Sequence, residues 1–291
     1  MNTVTTSVRG RGVEVSIGDE HPFVIIGERI NPTGRARLTE EITRGDMTSV
    51  QADATAQVAA GARILDINAG VPGFDEAEML SNVVKAVMAV VDVPLCIDSS
   101  TPSALEAAIP LVEGKVLINS VTAERESLER LLPLVAAHGA AVIGIANDEE
   151  GPSMDPQVRL GAARKIVDAA AEHGIAREDV IIDVIAMPIG AAPDAATAMY
   201  ETIRLVRSEL GVNVTCGASN ISFGMPGRQE IDAGFLTIAV ATGMNTAITN
   251  ALHRSVRKAM LAANLLLGRD EFGSAWIADH RAEIAAAAAG G

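Results

Sequence analysis

The sequence predicts an α/β protein built as a (β/α)8 barrel, and three observations predict it. Eight short apolar runs rich in Val, Ile and Leu recur along the 291 residues. Their starts, from residue 23 to residue 246, are spaced by about 32 residues, the length of one βα unit. Each run is uniformly apolar rather than alternating, as parallel strands buried on both faces require. A doubly wound open sheet is the competing fold. It is disfavoured because no glycine fingerprint of the dinucleotide-binding type follows the first run.

The elements follow in order. Residues 1–22 form a polar N-terminal segment, in which residues 9–19 predict a small hairpin closing the barrel bottom. The eight strands are predicted at residues 23–27, 63–67, 94–97, 116–118, 141–145, 180–182, 213–216 and 246–248. Helical patterns fill the gaps. One covers residues 46–60 and ends at Gly61, and another covers residues 155–173 and ends at Gly174, both glycines suiting a left-handed helix end. Residues 284–291 are an Ala-rich tail, read as a fraying helix end. No low-complexity linker divides the chain, so residues 1–291 are expected to form a single domain.

Composition excludes several functions. Lys and Arg number 23 against 37 Asp and Glu, a formal charge of −14, so the basic stripe of a nucleic-acid binder is missing. Five Phe, one Tyr and one Trp leave little for base stacking. No apolar run is long enough to span a bilayer, and the polar N-terminus lacks a signal-peptide core. Two cysteines 120 positions apart make no disulfide framework. A cytoplasmic protein without nucleic-acid or membrane partners is expected.

In a barrel of this kind the chemistry sits just after each strand. Here the strand ends are uniform in type. Glu28 and Asn31 follow the first strand, Asp66 and Asn68 the second, and Asp98, Ser99 and Ser100 the third. Asn119 and Ser120 follow the fourth, Asn147 and Asp148 the fifth, and Asp183 the sixth. Ser219 and Asn220 follow the seventh and Asn250 the eighth. Any one of these residues suits a helix N-cap. Together they form a ring of carboxylates and carboxamides fitted to a flat ligand edge rich in N–H donors and C=O acceptors. Phosphate would instead need backbone N–H groups with Lys or Arg.

Other chemistries are weaker. The five His are scattered, without a paired zinc spacing. Cys96 and Cys216 lie inside strands and read as buried core thiols rather than nucleophiles. A Mg²⁺ site from Asp66, Asp98 and Asp183 is an alternative on composition, but no intrinsic metal is expected.

Five segments then support a resemblance. Ile26-Gly27-Glu28-Arg29-Ile30-Asn31-Pro32-Thr33-Gly34 resembles the opening of the pterin-binding barrels, which include dihydropteroate synthase and the folate domain of cobalamin-dependent methionine synthase. Leu65-Asp66-Ile67-Asn68-Ala69-Gly70, Leu95-Cys96-Ile97-Asp98-Ser99-Ser100, Ile118-Asn119-Ser120-Val121-Thr122-Ala123-Glu124 and Gly217-Ala218-Ser219-Asn220-Ile221-Ser222-Phe223-Gly224 resemble the methyltetrahydrofolate:corrinoid methyltransferases in particular. The likeness spans residues 23–267 and implies a TIM barrel of the pterin-binding type.

The resemblance also implies roles. Asp98, Asn119 and Asp183 match the positions that hydrogen-bond the pterin edge. Asn220 matches the carboxamide that reaches N5 of the folate, and Arg228 aligns with an arginine after that loop. With so few aromatics, Met187 and Ile221 are expected to wall the pterin faces. Phe223 is the one aromatic in a site loop. Dihydropteroate synthases carry a Lys in the strand 7 motif, where this chain has Ser219-Asn220, and a distinct loop where it has Pro32-Thr33-Gly34-Arg35. Both departures count against the synthase.

The implied reaction moves a methyl group between N5 of tetrahydrofolate and the cobalt of a corrinoid carried by a partner protein, in either direction, with Co(I) as the nucleophile. A tertiary amine is a poor leaving group, so a donor near N5 stabilises the charge developing there. A neutral Asn suits this task, because its amide donates to an amine or accepts from its protonated form. A Lys cation would repel a protonated N5. Three alternatives remain: a dihydropteroate synthase-like enzyme, a non-catalytic folate-binding subunit of a corrinoid complex, and an unrelated metal-dependent barrel lyase. The helix over residues 252–267 is a candidate homodimer face, and Arg29, Arg35 and Arg37 are candidates for holding the folate glutamate tail.

Overall fold

The computed structural model describes residues 4–289. Two antiparallel strands come first, β1 (Thr6–Arg9) and β2 (Glu14–Ile17). Then follow β3 (Val24–Ile30), α1 (Ala36–Thr43), α2 (Thr48–Ala59), β4 (Ile64–Ile67), α3 (Glu76–Met88), β5 (Leu95–Asp98) and α4 (Pro102–Ala108). The middle of the chain forms β6 (Leu117–Thr122), α5 (Arg125–Ala137), β7 (Ala141–Ile145), α6 (Pro156–Glu172), β8 (Val180–Asp183) and α7 (Ala195–Glu209). It ends with β9 (Asn213–Thr215), α8 (Arg228–Thr242), β10 (Thr246–Thr249), α9 (Arg254–Leu266) and α10 (Ser274–Ala289).

Strands β3 to β10 form a parallel eight-stranded sheet in the order β10-β3-β4-β5-β6-β7-β8-β9. The two ends meet through a parallel bridge between Gly217 and Ile248, where Ile248 N donates to Cys216 O at 3.0 Å. The expected (β/α)8 barrel is therefore present, and the open sheet is not.

Register explains why each run reads as uniformly apolar. Ile26 pairs with Ile64, Cys96 with Leu117, Leu117 with Ala141, and Ile143 with Ile181. These residues share one buried cluster with Val8, Val15 and Ile17, which fills the barrel interior. The alternate residues Ile25, Leu65, Leu95, Ile97, Ile118, Val142, Ile182 and Val214 belong to a second cluster with the surrounding helices. Both faces of most strands are thus apolar, the pattern of a parallel sheet covered on both sides, while β9 carries the buried polar Asn213 and Thr215 inward.

The hairpin plugs the bottom, as the sequence predicts, but over residues 6–17 rather than 9–19. Its turn must approach the barrel closely. A Cβ on Gly10 would lie 2.3 Å from the Asp92 carbonyl oxygen, so only glycine fits there. A buried amide ties the plug to the sheet. Asn213 Nδ2 donates to Ile17 O at 2.8 Å and to Thr6 Oγ1 at 3.0 Å.

The predicted helix over residues 46–60 is α2, which starts later because the Asp46 carboxylate accepts from Thr48 N at 3.0 Å. Asp155 caps α6 through Gln157 N at 2.8 Å. The predicted helix over residues 252–267 is α9. Its Val256, Met260 and Ala263 pack inward, and α10 lies across it through ion pairs of Arg254, Arg257 and Lys258 with Asp279 and Glu283. Of the Ala-rich tail, residues up to 289 are helical in α10, and residues 290 and 291 lie outside the described residues, as do residues 1–3 of the N-terminal segment.

Asn213→Ala is expected to lower stability by about 2 kcal/mol, because the Ile17 carbonyl is left buried without its donor. A shift of the urea midpoint to lower concentration with a native circular dichroism spectrum checks this.

Candidate active site

The register that fills the barrel with Ile26, Cys96, Leu117 and Ile181 also places polar residues two positions further along most of the strands. Side chains on one face recur every second residue. Above Ile26 stands Glu28, above Ile64 stands Asp66, and above Cys96 stands Asp98. Asn119 follows Leu117, Asp183 follows Ile181, and Thr215 follows Asn213. Asp98 pairs directly with Asn119, and Asp183 with Thr215. The C-terminal mouth is therefore lined by a polar layer resting on an apolar one. The ladder is irregular at two of these positions, between Gly27 and Ile30 of β3 and between Asn119 and Val121 of β6. Such bulges re-aim side chains at barrel rims. The β3 bulge is held by Gln57, whose Oε1 accepts from Arg29 N at 2.9 Å. A Cβ on Gly27 would stand 2.5 Å from that oxygen.

Within the layer, amides orient acceptors. Asn68 Nδ2 donates to Asp98 Oδ2 at 3.0 Å, while its own Oδ1 accepts from Gly70 N at 3.0 Å. Asn119 Nδ2 donates to Asp66 Oδ1 at 3.1 Å. Asp66 is 3% exposed. It lies beneath Asn119 and orients that amide instead of facing the mouth itself. Asp183 Oδ1 accepts from Ile185 N at 2.7 Å. Ile185 adopts φ 62°, a left-handed conformation that strains a β-branched residue by about 1–3 kcal/mol.

Electrostatics mark the same residues. Burial pushes the Asp183 carboxyl up to about 6, against the hydrogen bonds from the Ile185 and Gly217 N–H groups. Burial raises Asp98 as well, and burial together with the charge of Asp98 holds Asp66 well above the usual carboxylate range. Desolvation disfavours the charged form of each, so donors brought by a ligand are stabilising there.

Asn220 stands in the turn after β9, next to Asp183 of β8 and across the barrel from Asp98 of β5. Glu28 Oε1 accepts from Ser219 Oγ at 2.8 Å. Arg228, at the start of α8, donates through Nη2 to Ser219 O at 2.6 Å and through Nε to Ser222 Oγ at 3.0 Å. The turn carrying Asn220 is thus stapled from both sides, while Asn220 itself is exposed. Beside this staple a cavity of about 530 Å³ is lined by Glu28, Arg29, Ser219, Arg228, Asp232, Asn250 and His253.

Some expectations change in position. Ile221 is 1% exposed and belongs to the core behind the loop, so it does not wall a ligand face. Its backbone carbonyl accepts from Ile189 N at 3.0 Å and ties the β8 and β9 loops together. Met187 is half-buried in the β8 loop. Asn31 Oδ1 turns back to accept from Thr33 N at 2.9 Å, shaping the loop after β3. Phe223 is 66% exposed on the rim, with the Arg228 guanidinium 5.9 Å from its ring centre. Arg35 is paired with Asp53 and Arg37 with Glu41, which leaves Arg29 of that trio at the cavity. Cys96 and Cys216 are buried, and burial raises both thiols.

Sequence reasoning missed Asp232 and His253. Asp232 is 1% exposed and sits one helical turn after Arg228 on α8, an i, i+4 spacing that offered a signal. His253 Nε2 lies 3.0 Å from Asn250 Nδ2. Among the described residues, no three His, Cys, Asp or Glu side chains are gathered so as to hold a metal ion. The arrangement can hold a flat heterocycle by its donor edge at Asp98, Asn119 and Asp183 and present a neutral amide to another of its atoms.

Comparison with known proteins agrees. The sequence profile of the family described as pterin binding enzyme matches residues 27–250. The chain is 30% identical over 256 residues to a methylcorrinoid:tetrahydrofolate methyltransferase of Eubacterium limosum, covering 85% of this chain and 92% of that protein. It is 27% identical over 258 residues to methionine synthase of Mycobacterium tuberculosis, covering 84% of this chain but 22% of that protein. The fold superposes on dihydropteroate synthase of Thermus thermophilus in complex with 4-aminobenzoate, with TM-score 0.66, 22% identity and coverage of 89% of this chain and 99% of that one. With its barrel, its ring of acceptors and these matches, the chain belongs to the family of pterin binding enzymes.

Proposed function

We propose that the protein is a methyltransferase that moves a methyl group between N5 of tetrahydrofolate and the cobalt of a corrinoid protein. One observation carries the reading beyond the family. The stapled turn after β9, next to Asp183 of β8 and across the barrel from Asp98 of β5, presents the neutral carboxamide of Asn220. The likeness to the methylcorrinoid:tetrahydrofolate methyltransferase over most of both chains supports it.

The acceptors take the N–H donors of the pterin edge and so fix the ring in its plane. Asn220 then faces N5, donating to the amine or accepting from its protonated form by turning its amide. The N5–methyl bond breaks with its electron pair left on N5, which gains a proton; the reverse direction returns both. The corrinoid, carried by its own protein, supplies the metal that gives or takes the methyl group. Phe74, Phe223 and Leu252, in the loops after β4, β9 and β10, are exposed around the mouth and suit a docking partner with an apolar face.

The same reading makes the protein a single-domain, cytoplasmic enzyme of one-carbon metabolism. No helix of the described residues is long and apolar enough to cross a membrane. Exposed Leu266 on α9 and Phe272 beyond it support the expected homodimer.

Mixing the protein with 5-methyltetrahydrofolate and reduced cobalamin tests the proposal. Loss of the Co(I) absorbance at a rate proportional to enzyme is expected, and no change in absorbance rejects methyl transfer. Asn220→Ala should lower that rate by about tenfold or more with the fold intact, since an oxyanion-type donor is removed. Turnover near that of the parent protein takes Asn220 out of the mechanism.

Folate affinity should depend on pH with a defined sign. The Asp183 carboxyl titrates at about 6 in the free protein, and donors on the pterin edge favour its ionised form. Binding at pH 6 therefore releases protons, and affinity is full above this value and lost as pH falls through it. Calorimetry in buffers of different ionisation enthalpy measures the release. Asp183→Asn should weaken binding and reduce this proton release, because one acceptor becomes a mixed donor and acceptor; the part that remains belongs to Asp98, whose carboxyl burial also pushes up to about 6.

A further inference from the structure

Arg159 lies on α6, outside the strands, and is fully buried. A buried arginine normally meets a carboxylate. This one makes no ion pair with any carboxylate among the described residues. Its donors go to backbone carbonyls instead. Nε donates to Ser153 O, and Nη1 donates to Val184 O at 2.8 Å and to Ile185 O at 3.1 Å. Nη2 lies 4.0 Å from Met154 Sδ.

The two β8-loop carbonyls flank the left-handed Ile185. A β-branched residue is held at positive φ only where its surroundings over-determine it. The guanidinium grips the carbonyls on both sides of that residue. The Ile185 N–H then donates to Asp183 Oδ1 at 2.7 Å and fixes the direction of the carboxylate.

We propose that Arg159 is a positioning residue for the pterin-edge acceptor: by clamping the Val184 and Ile185 carbonyls it fixes the peptide whose N–H orients Asp183. The inference rests on the reading of Asp183 as the residue that accepts from folate. The planar fork of an arginine reaches two carbonyls and a third from the β7 loop at once, which a lysine ammonium does less well. The clamp also places a positive charge on the far side of Asp183, whose other charged or titratable neighbour is Cys216 of β9.

The test uses two readouts. In the free protein, carboxyl ¹³C NMR should show Asp183 titrating at about 6 in the parent chain. In Arg159→Met the midpoint should rise by about one pH unit or more, since a donor to the charged form and a nearby cation are both lost. An unmoved midpoint overturns the inference, whatever folate does. By calorimetry at pH 7.5, Arg159→Met should bind tetrahydrofolate about tenfold more weakly or worse, and Arg159→Lys should fall between. Adding Ile185→Gly to Arg159→Met should regain affinity, because glycine adopts positive φ without a clamp. A general loss of packing would not be rescued in this way, so a double variant no tighter than the single one also overturns the inference. If Arg159→Met does not fold, Arg159→Lys carries the NMR test, with a smaller upward shift expected and no shift rejecting the clamp. A parent protein that binds no folate, with the NMR shift present, rejects the proposed function and leaves the clamp standing.

Discussion

The alternation of side chains along eight parallel strands is the constraint on which the rest of the structure depends. In a closed parallel barrel every second residue points inward, and adjacent strands are held in register by their hydrogen bonds. The pairings Cys96 with Leu117 and Asp98 with Asn119 belong to one ladder. The thiol and leucine that fill the interior therefore dictate that the next inward pair is a carboxylate and a carboxamide. A slip of one residue would turn Asp98 toward the helices and Ile97 into the mouth. The apolar layer below and the polar layer above are consequences of the same register. The N-terminal hairpin, sealed by Asn213, closes the bottom, so the polar layer opens at the C-terminal end.

This layer is electrostatically unusual. Asp66, Asp98 and Asp183 are held by amides and backbone N–H groups, and none forms an ion pair with Lys or Arg among the described residues. Burial then raises their carboxyls, because desolvation opposes the charge and outweighs the amides, the N–H groups and, at Asp183, the charge of Arg159. A site in this condition favours a neutral ligand that brings several N–H donors on one edge. A phosphate-bearing ligand would meet repulsion there. At the turn after β9 the charges do a different task. Arg228 and Glu28 direct their hydrogen bonds to Ser219 and Ser222, which fixes a turn and leaves Asn220 projecting. Rigid acceptors and a presented amide around one mouth suit a reaction in which the ring is held still while bonding changes at one nitrogen.

Much of this is legible in the sequence, and the exceptions have physical causes. Runs such as residues 141–145 are strands in full because a doubly covered strand has no polar interruption. Strand ends read short at Gly27 and Ile118, beyond which the ladder continues through bulges that polar residues disguise. Asp98, Asn119, Asp183 and Asn220 can be found because their strands or turns end there. Asp232 and His253 cannot, since they reach the mouth from helix α8 and the loop before α9, away from any strand end. Ile221 reads as part of a ligand face because its neighbour Asn220 faces outward. In a tight turn, adjacent side chains diverge, and Ile221 points into the core.

The sequence by itself determined the barrel, the order of its strands and the chemical type of residue at each mouth position. Periodicity and spacing are local properties of the chain, and they survive without coordinates. The tertiary structure decided which of those residues face the mouth and which stand behind it. Asp66 sits under Asn119, Asn68 turns toward Asp98, and the isolated Arg159 reaches the β8 loop from a helix. These relations join residues 25 to 53 positions apart, and they depend on ladder register, bulges and helix docking. No local pattern encodes them, because each is set by the packing of the whole barrel.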